Sequence, residues 1–338
     1  MKNKNVTINK VVPSAAIENG VIEIYGEGFT ADDYAVDSVL IDNIVARKKF
    51  VSEDKIVVTI PEYARKGEIV LGSNADEKAV YSIVLGSKLA DNLHCVDNPV
   101  VDNEGNWYVT YSGKRDESPE VSIFKVTRDG AISPYITNIK NATSMAFNKD
   151  GILFVSSRFE GMLYKVLSEG EVEVFAENLG IPTGVAITQS GYIYVGDRTG
   201  KIYKISPDGQ TSLFAELPES LVAYHFALDL DENLFVSIPD ISSVSSIYMI
   251  DNFGKSVLFY AGFGRPQGMA FDKDGNLYIC EAKVGESALW CLKSTGEVLK
   301  IVASPPLIGV AFDQKGNLGL ATATSLYKLR LGIYGKPH

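Results

Sequence analysis

The chain has 338 residues, of which 46% are apolar and 22% are charged, and its formal net charge at pH 7 is −10. This is the composition of a globular protein long enough for two domains. The acidic balance argues against nucleic-acid binding and against adsorption to an anionic membrane, because both favour basic surfaces. No apolar run approaches the roughly 18 residues that a membrane-spanning helix needs.

The three cysteines are Cys95, Cys280 and Cys291. An odd and low number excludes a disulfide framework and predicts reduced thiols, which is consistent with a cytoplasmic protein. The first residues lead into an alternating strand and not into the apolar segment of a signal peptide. We therefore expect a cytoplasmic location; the alternative is that an export signal has been trimmed from the sequence.

Short alternating apolar and polar runs, separated by turn residues, fill the first part of the chain. They lie at residues 6–8, 21–25, 38–41, 55–60, 68–71 and 80–85. Six or seven short strands within about 80 residues are typical of a small antiparallel β-sandwich. We expect this first domain to span residues 1–86.

Four phrases within that domain carry a family resemblance. They are Val12-Pro13-Ser14, Gly26-Glu27-Gly28-Phe29, Val39-Leu40-Ile41 and Val58-Thr59-Ile60-Pro61, in this order. Their order resembles an IPT/TIG domain, which is an immunoglobulin-like module. Such domains usually act as spacers or interaction modules, so the resemblance implies that a protein partner could bind through this domain.

A hairpin phrase, Asp272-Lys273-Asp274-Gly275-Asn276-Leu277-Tyr278, recurs through the rest of the chain. Its Asp-Gly pair predicts a tight turn in which glycine takes positive φ. Equivalent turns fall at Gly105, Gly151, Gly191, Glu232, Gly275 and Gly316, with successive spacings of 46, 40, 41, 43 and 41 residues. A second series follows at Gly130, Gly170, Gly209, Gly254 and Gly296. Two hairpins in each unit predict four-stranded propeller blades.

Six such units predict a six-bladed β-propeller over residues 87–338, in an all-β protein. The sixth unit has no second hairpin after it, so its outer strand must come from elsewhere. Residues 88–93 match residues 174–179, which form the outer strand and exit of an internal unit. We therefore expect a strand near residues 88–90 to close the ring, which removes two open sheet edges.

The repeats resemble NHL-type and senescence-marker-protein/gluconolactonase-type propellers over residues 88–334. The matching phrases are Pro182-Thr183-Gly184-Val185-Ala186 and Pro266-Gln267-Gly268-Met269-Ala270, together with the hairpin phrase. The gluconolactonase resemblance implies a lactone hydrolase with one divalent metal, Ca²⁺ or Zn²⁺, at the channel mouth. The matching positions here are Asp97, His225 and Gln267, of which only the aspartate keeps the family's ligand type, so the implied metal site is degenerate.

In a propeller the inner strands begin, and the second strands end, at the same face, so two sets of loops surround the channel mouth. Aligning the repeats places Asp97, Thr183, Tyr224, His225 and Gln267 in the first set, with Arg265 beside it. The second set holds Arg115, Arg158, Arg198 and Glu281. Guanidinium groups suit carboxylate or phosphate, which predicts an anion site. The alternative is local pairing, such as Arg115 with Asp116 and Arg198 with Asp197.

These residues predict a protein that binds a small polar ligand, anionic or carbohydrate-like, at the channel mouth. In a catalytic version it would hydrolyse a lactone or ester, with His225 and Asp97 as catalytic residues. Asp97, His225 and Gln267 would then hold a metal or a water. The predicted substrate-binding residues are Arg158, Arg198, Arg115, Arg265, Thr183, Tyr224 and Glu281. The alternative is a non-catalytic scaffold that binds another protein.

Overall fold

The computed structural model describes residues 6–29, 39–72, 78–114, 119–167, 170–240, 244–285 and 287–336. These residues form short strands joined by turns, and no α-helix occurs among them. The all-β prediction is therefore confirmed. The described ranges also contain no helix of the length and apolar character needed to cross a membrane.

The N-terminal part forms two four-stranded sheets and one short connecting pair. Its strands are β1 (Thr7–Val12), β2 (Ala15–Ala16), β3 (Val21–Glu27), β4 (Val39–Ile41), β5 (Ile44–Val45), β6 (Arg47–Val51), β7 (Lys55–Thr59), β8 (Glu68–Leu71), β9 (Ala79–Ser82) and β10 (Val84–Leu85). One sheet has the order β1-β3-β7-β6 and the other β5-β4-β8-β9.

A single apolar core lies between these two sheets. Ile24 of β3 and Ile56 of β7 come from one sheet, and Ile41 of β4 and Ile69 of β8 from the other. Along β3 the buried and half-buried side chains alternate, as expected for a strand with one face on a core. The two sheets thus pack as a sandwich, and the narrower IPT/TIG assignment stays a prediction.

The remaining strands form six further sheets. They are β11 (Ser87–Ala90), β12 (Val100–Val101), β13 (Trp107–Thr110), β14 (Ile123–Val126), β15 (Ile132–Ile136), β16 (Ala142–Phe147), β17 (Leu153–Ser157), β18 (Met162–Val166), β19 (Val172–Ala176), β20 (Pro182–Ile187), β21 (Ile193–Asp197), β22 (Lys201–Ile205), β23 (Thr211–Glu216), β24 (His225–Leu228), β25 (Leu234–Ile238), β26 (Ser245–Ile250), β27 (Ser256–Phe263), β28 (Pro266–Phe271), β29 (Leu277–Glu281), β30 (Ala288–Leu292), β31 (Val298–Ala303), β32 (Gly309–Phe312), β33 (Asn317–Ala321) and β34 (Leu326–Arg330).

Each of these sheets has the four-stranded order of a propeller blade. The inner strands, β12, β16, β20, β24, β28 and β32, contact one another in sequence, and β32 also contacts β12. We number the blades one to six in that order. In blade six the outer strand is β11, which pairs antiparallel with β34, at the position predicted for residues 88–90. Apolar side chains fill the spaces between neighbouring blades.

The first hairpin turns share one backbone conformation. Gly275 has φ of 79°, and the other turn glycines are also positive. In blade four the same position is Glu232, which adopts φ of 63° although it carries a side chain. A non-glycine residue in this region is strained, so the ring geometry fixes the turn even where the sequence does not favour it.

The sandwich and the propeller share a sheet. Strand β2 pairs in parallel with β10 and with β31, the last strand of blade five. Nearby, the carboxylate of Glu18 accepts a hydrogen bond of 2.8 Å from the Tyr327 hydroxyl and pairs with Lys88 Nζ at 2.5 Å. The predicted domain boundary after residue 86 lies between β10 and β11. Strand β10 pairs with β2 before that boundary, and β11 pairs with β34 of blade six after it.

Candidate ligand site at the mouth face of the propeller

We call mouth face the end of the ring at which the inner strands begin and the second strands end. Backbone pairing shows this in three blades, where Ala142 pairs with Ser157, Pro182 with Asp197, and Pro266 with Glu281. The loops that carry the predicted site residues therefore meet at one end of the channel. The opposite end, with the first hairpin turns, is the turn face.

A buried hydrogen bond joins two of the predicted site residues across the ring. His225 Nδ1 lies 2.7 Å from Asp97 Oδ1, and the two residues are 1% and 4% exposed. Asp97 leads into blade one and His225 begins blade four, which are opposite each other in a ring of six. The bond therefore spans the channel at its mouth end.

The second nitrogen of this imidazole, Nε2, is the next feature of the pair. His225 Nε2 is buried and makes no hydrogen bond with the described residues. When the carboxylate of Asp97 accepts the proton of Nδ1, the lone pair of neutral imidazole lies on Nε2. This arrangement is chemically able to accept a proton, provided that a reactant reaches Nε2.

Asn98 bridges three blades immediately inside that pair. Its Nδ2 donates to Met269 O at 3.0 Å, and its Oδ1 accepts from Val310 N at 2.9 Å. Gly268 and Gly309 leave space for it, because a Cβ on either glycine would lie within 2.5 Å of an Asn98 atom. Asn98 therefore helps to close the mouth end, a role that the sequence analysis did not assign to it.

Three other predicted residues lie in the wall of the ring. Tyr224 is fully buried and its hydroxyl donates to Pro218 O. Thr183 Oγ1 accepts a hydrogen bond of 2.9 Å from Tyr224 N, which links blades three and four. Gln267 is buried, and its backbone oxygen accepts from Ser237 Oγ at 2.8 Å. The polar atoms of Thr183 and Tyr224 are thus used within the protein.

The carboxylates at the ends of the second strands hold the loops. Glu281, which is 2% exposed, accepts hydrogen bonds of 2.8 Å from the backbone N–H groups of Gly264, Arg265 and Lys283. Asp197 likewise accepts from Ile181 N at 3.0 Å and from Thr199 N at 3.1 Å. Both carboxylates therefore satisfy backbone donors that are buried or partly buried and would otherwise lack an acceptor in the protein.

Two arginines on the same face, Arg158 and Arg198, have no acidic partner among the described residues. Arg158 is half-buried and makes neither a hydrogen bond nor an ion pair with the described residues. Arg198 Nη1 donates to Leu221 O at 3.2 Å, and Arg198 forms no ion pair with a carboxylate of the described residues. Burial lowers the pKa of Arg158, and the charge of Arg198 on the next blade lowers it further. The alternative of an Arg198–Asp197 pair is wrong.

The other cations of the mouth face are more peripheral. Arg265 has an exposed side chain. Lys140, in the loop before blade two, places Nζ 5.0 Å from the centroid of the Phe159 ring. Lys140 was not among the predicted site residues, although it precedes an inner strand much as Arg265 does. Arg115 and its suggested partner Asp116 lie outside the described residues.

The donor set for a metal is sparse. Across the described ranges no group of three or more His, Cys, Asp or Glu side chains could hold a metal ion. Of the predicted ligands, Asp97 and His225 bind each other, and the third, Gln267, offers only a neutral amide. Ca²⁺ prefers several carboxylate oxygens and Zn²⁺ prefers more imidazole or thiolate. These residues do not fit either ion well, and the metal stays a prediction.

No protein family and no curated protein matches the sequence. Among solved structures, a protein proposed to be a gluconolactonase has a TM-score of 0.61 and 18% identity, covering 75% of this chain and 94% of that chain. An auxiliary nutrient binding protein from Bacteroides thetaiotaomicron has a TM-score of 0.59 and 10% identity, and the match covers 97% of this chain and 98% of that chain. Virginiamycin B lyase from Staphylococcus aureus has a TM-score of 0.55 and 15% identity, and the match covers 73% of this chain and 99% of that chain.

At these identities the likeness concerns the fold alone. The gluconolactonase-like protein and the lyase match about three quarters of this chain, whereas the nutrient binding protein matches nearly all of it. The resemblance to gluconolactonase-type propellers predicted from the repeats is thus confirmed at the level of fold. The chain has the fold of the gluconolactonase-like and virginiamycin B lyase β-propeller proteins.

Proposed function

We propose that the protein binds a small anion, such as an acid sugar or another carboxylate, between Arg158 and Arg198 at the mouth face. The observation that carries this proposal is the half-buried Arg158, which has no partner among the described residues; the charge of Arg198, at the equivalent position of the next blade, lowers its pKa. Burying an unpaired charge is unfavourable, and so is placing two like charges together. A carboxylate bound between them relieves both costs.

The expected affinity for the anion follows from the chemistry of a guanidinium–carboxylate contact. Guanidinium and carboxylate form charge-assisted, often bidentate hydrogen bonds. Each hydrogen bond to a charged group contributes about 1.5–3 kcal/mol, so loss of one arginine corresponds to a decrease in affinity of about ten- to hundredfold. The names of two structural neighbours, a nutrient binding protein and a gluconolactonase, also support a small-molecule ligand.

Titration calorimetry with D-glucuronate, D-gluconate and uncharged D-glucose tests the proposal. Arg158→Gln and Arg198→Gln should each weaken binding of the acids by about tenfold or more, and glucose should bind poorly to all forms. Arg128→Gln is the matched control, because Arg128 is exposed and pairs with Asp129 far from the mouth loops. Equal binding of the acids by all four proteins would contradict the proposal.

A second candidate function is hydrolysis of a lactone or ester at the same mouth. The observation that favours it is the buried His225–Asp97 pair with its unpartnered Nε2, which resembles the base-and-orienter arrangement of general-base catalysis. His225 would accept a proton from the attacking water once a substrate gains access to Nε2. A lactone and ester screen with wild type and His225→Ala tests this: hydrolysis that survives the substitution would exclude His225 as the base.

The remaining expectations rest on sequence alone. We propose that the N-terminal sandwich, as an IPT/TIG-like module, is where a protein partner would bind if the chain is a scaffold. A cytoplasmic location is the accompanying proposal. Pull-down with the intact protein and with a variant altered on the exposed face of the sandwich, such as Phe50→Ser, would separate the scaffold function from ligand binding; Phe50 is 47% exposed.

A further inference from the structure

The channel inside the ring contains a cavity that the mouth-face site does not use. Its volume is about 210 Å³, and residues of all six inner strands line it. For comparison, an engineered apolar cavity of about 150 Å³ binds benzene. The wall includes four phenylalanines and two methionines: Met145, Phe147, Phe226, Met269, Phe271 and Phe312. The cavity is therefore large enough for an aromatic ring with a short substituent.

The mouth end of this cavity is closed. The Asp97–His225 hydrogen bond spans the ring there, and Asn98 binds blades five and six just inside it. Asn98 lines the cavity, whereas Asp97 and His225 do not. A ligand in the cavity would thus be separated from the arginines of the mouth face and would enter from the turn face.

At the turn face the C-terminal segment borders the opening. Lys273 N donates to Tyr334 O at 2.9 Å, and Lys336 N donates to Phe271 O at 3.1 Å, so this segment lies along blade five. The side chain of Lys336 lines the cavity. Its ammonium donates to Asp229 O at 2.6 Å and, among the described residues, pairs with no carboxylate within 4.0 Å.

The ammonium of Lys336 at this opening is therefore partly buried, and its charge is not neutralised by a carboxylate of the described residues. Burial lowers the pKa of Lys336, while the more distant charges of Glu232 and Asp229 raise it. One of the three ammonium donors is used by a backbone oxygen. The others are able to bind a carboxylate that arrives at the end of the cavity.

We infer that the channel is a second ligand site, for a small aromatic carboxylate. The ring of the ligand lies against the parts of these phenylalanine and methionine residues that border the cavity, while the same side chains also pack in the apolar clusters between blades. Edge-to-face and sulfur–aromatic contacts favour an aromatic ring there. Its carboxylate reaches the ammonium of Lys336. Unpaired edges of the inner strands also face this space, so water is the alternative occupant. The inference is independent of the anion site at Arg158 and Arg198.

Methyl NMR with ¹³C-labelled methionine tests whether a ligand enters the channel. The probe is 3-phenylpropionate, with 3-phenylpropan-1-ol as its neutral analogue and propionate as the analogue without a ring. Ring-current shifts are expected at Met145 and Met269, which line the cavity, and not at Met162 or Met249, which do not. Propionate should shift none of the four. Unchanged Met145 and Met269 signals at millimolar 3-phenylpropionate would overturn the inference in favour of a water-filled channel.

A matched pair of lysine variants tests the role of the charge. Lys336→Met should weaken 3-phenylpropionate binding by about tenfold and leave binding of the alcohol unchanged. Lys273→Met is the control, since this lysine lies on the same face over the Tyr334 ring and does not line the cavity. Arg158→Gln should also have no effect. Equal losses in the two lysine variants, or a loss in Arg158→Gln, would overturn the assignment of the carboxylate to Lys336.

Discussion

The two faces of the propeller use polar side chains in different ways. At the turn face, five blades repeat one arrangement, in which a side-chain oxygen accepts hydrogen bonds of 2.8–3.0 Å from the N–H groups two and four residues later. The five residues are Asp102, Asn148, Asp229, Asp272 and Asp313. At the mouth face the corresponding positions differ from blade to blade. Uniform positions thus stabilise the blades, and unlike positions are where ligand binding is possible.

Within the mouth face, acidic and basic side chains differ in the partners that they have. The carboxylates of Asp97, Asp197 and Glu281 all have partners inside the protein. Arg158 has none among the described residues, and Arg198 has only a backbone oxygen. In a chain with a net charge of −10, these three carboxylates bind groups of the protein itself, and we propose that Arg158 and Arg198 bind an anion.

The largest expected effect on stability is at the turn face. Asp272 is buried and accepts hydrogen bonds from Asp274 N, Asn276 N and Asn276 Nδ2. Asp272→Ala leaves these donors without an acceptor and should lower the free energy of unfolding by about 3–4 kcal/mol. Asp272→Asn, which keeps one oxygen, should cost about 1 kcal/mol. Denaturant titration measures both, and a loss below about 1 kcal/mol in the alanine variant would contradict the comparison.

Glu281 tests whether a mouth-face carboxylate behaves like those of the turn face. Glu281→Ala removes the acceptor of three backbone N–H groups, two of which are only partly buried. We expect a loss of about 2–3 kcal/mol in the free energy of unfolding, because water reaches part of this loop. A stable Glu281→Ala variant that has lost ligand affinity would instead assign Glu281 to substrate binding.

A smaller, pH-dependent effect is expected at Asp102. Burial alone would raise the pKa of this carboxyl, but hydrogen bonds from Asn106, Tyr108 and Glu104 outweigh burial and lower it. A lowered folded-state pKa adds stability above the unfolded value of about 3.9, and this stability is lost as pH falls through the folded value. Asp102→Asn introduces the residue type that blade two has at the equivalent position, Asn148. It should lower the free energy of unfolding by about 1 kcal/mol at pH 7 and by less at pH 3. A difference that does not change with pH would contradict this.

The smallest expected change in stability is at the proposed ligand site. Arg158→Gln removes a half-buried charge that has no partner among the described residues. The free energy of unfolding should stay within about 0.5 kcal/mol of the wild type, while binding of anions is lost. Thermal unfolding without ligand measures the first, and calorimetry the second. A loss of more than about 2 kcal/mol would show that Arg158 has a structural partner.

The sequence predicted most of the propeller because the repeat encodes it locally. Turn residues such as Gly275 fix each hairpin, and the match of residues 88–93 to an internal blade located the outer strand of blade six. The repeat did not show that β2 joins β31, since those strands are far apart in the chain and short.

The site was harder to predict, because partners across a ring leave no local pattern. Asp97 and His225 are separated by 128 residues, so their hydrogen bond became visible only in the structure. Alignment of the repeats did place Arg158 and Arg198 at equivalent positions of adjacent blades. It could not show that Asp197 accepts hydrogen bonds from backbone N–H groups, so that Arg198 has no acidic partner among the residues that the structure describes.

The most direct test of the central claim is a crystal structure of the protein with D-glucuronate. The account predicts that the ligand carboxylate lies within hydrogen-bond distance of both Arg158 and Arg198, about 2.7–3.2 Å from their nitrogens. The same soak of Arg158→Gln crystals should leave that position without the sugar. A glucuronate bound elsewhere on the ring, with Arg158 paired to a carboxylate of the protein, would contradict the account.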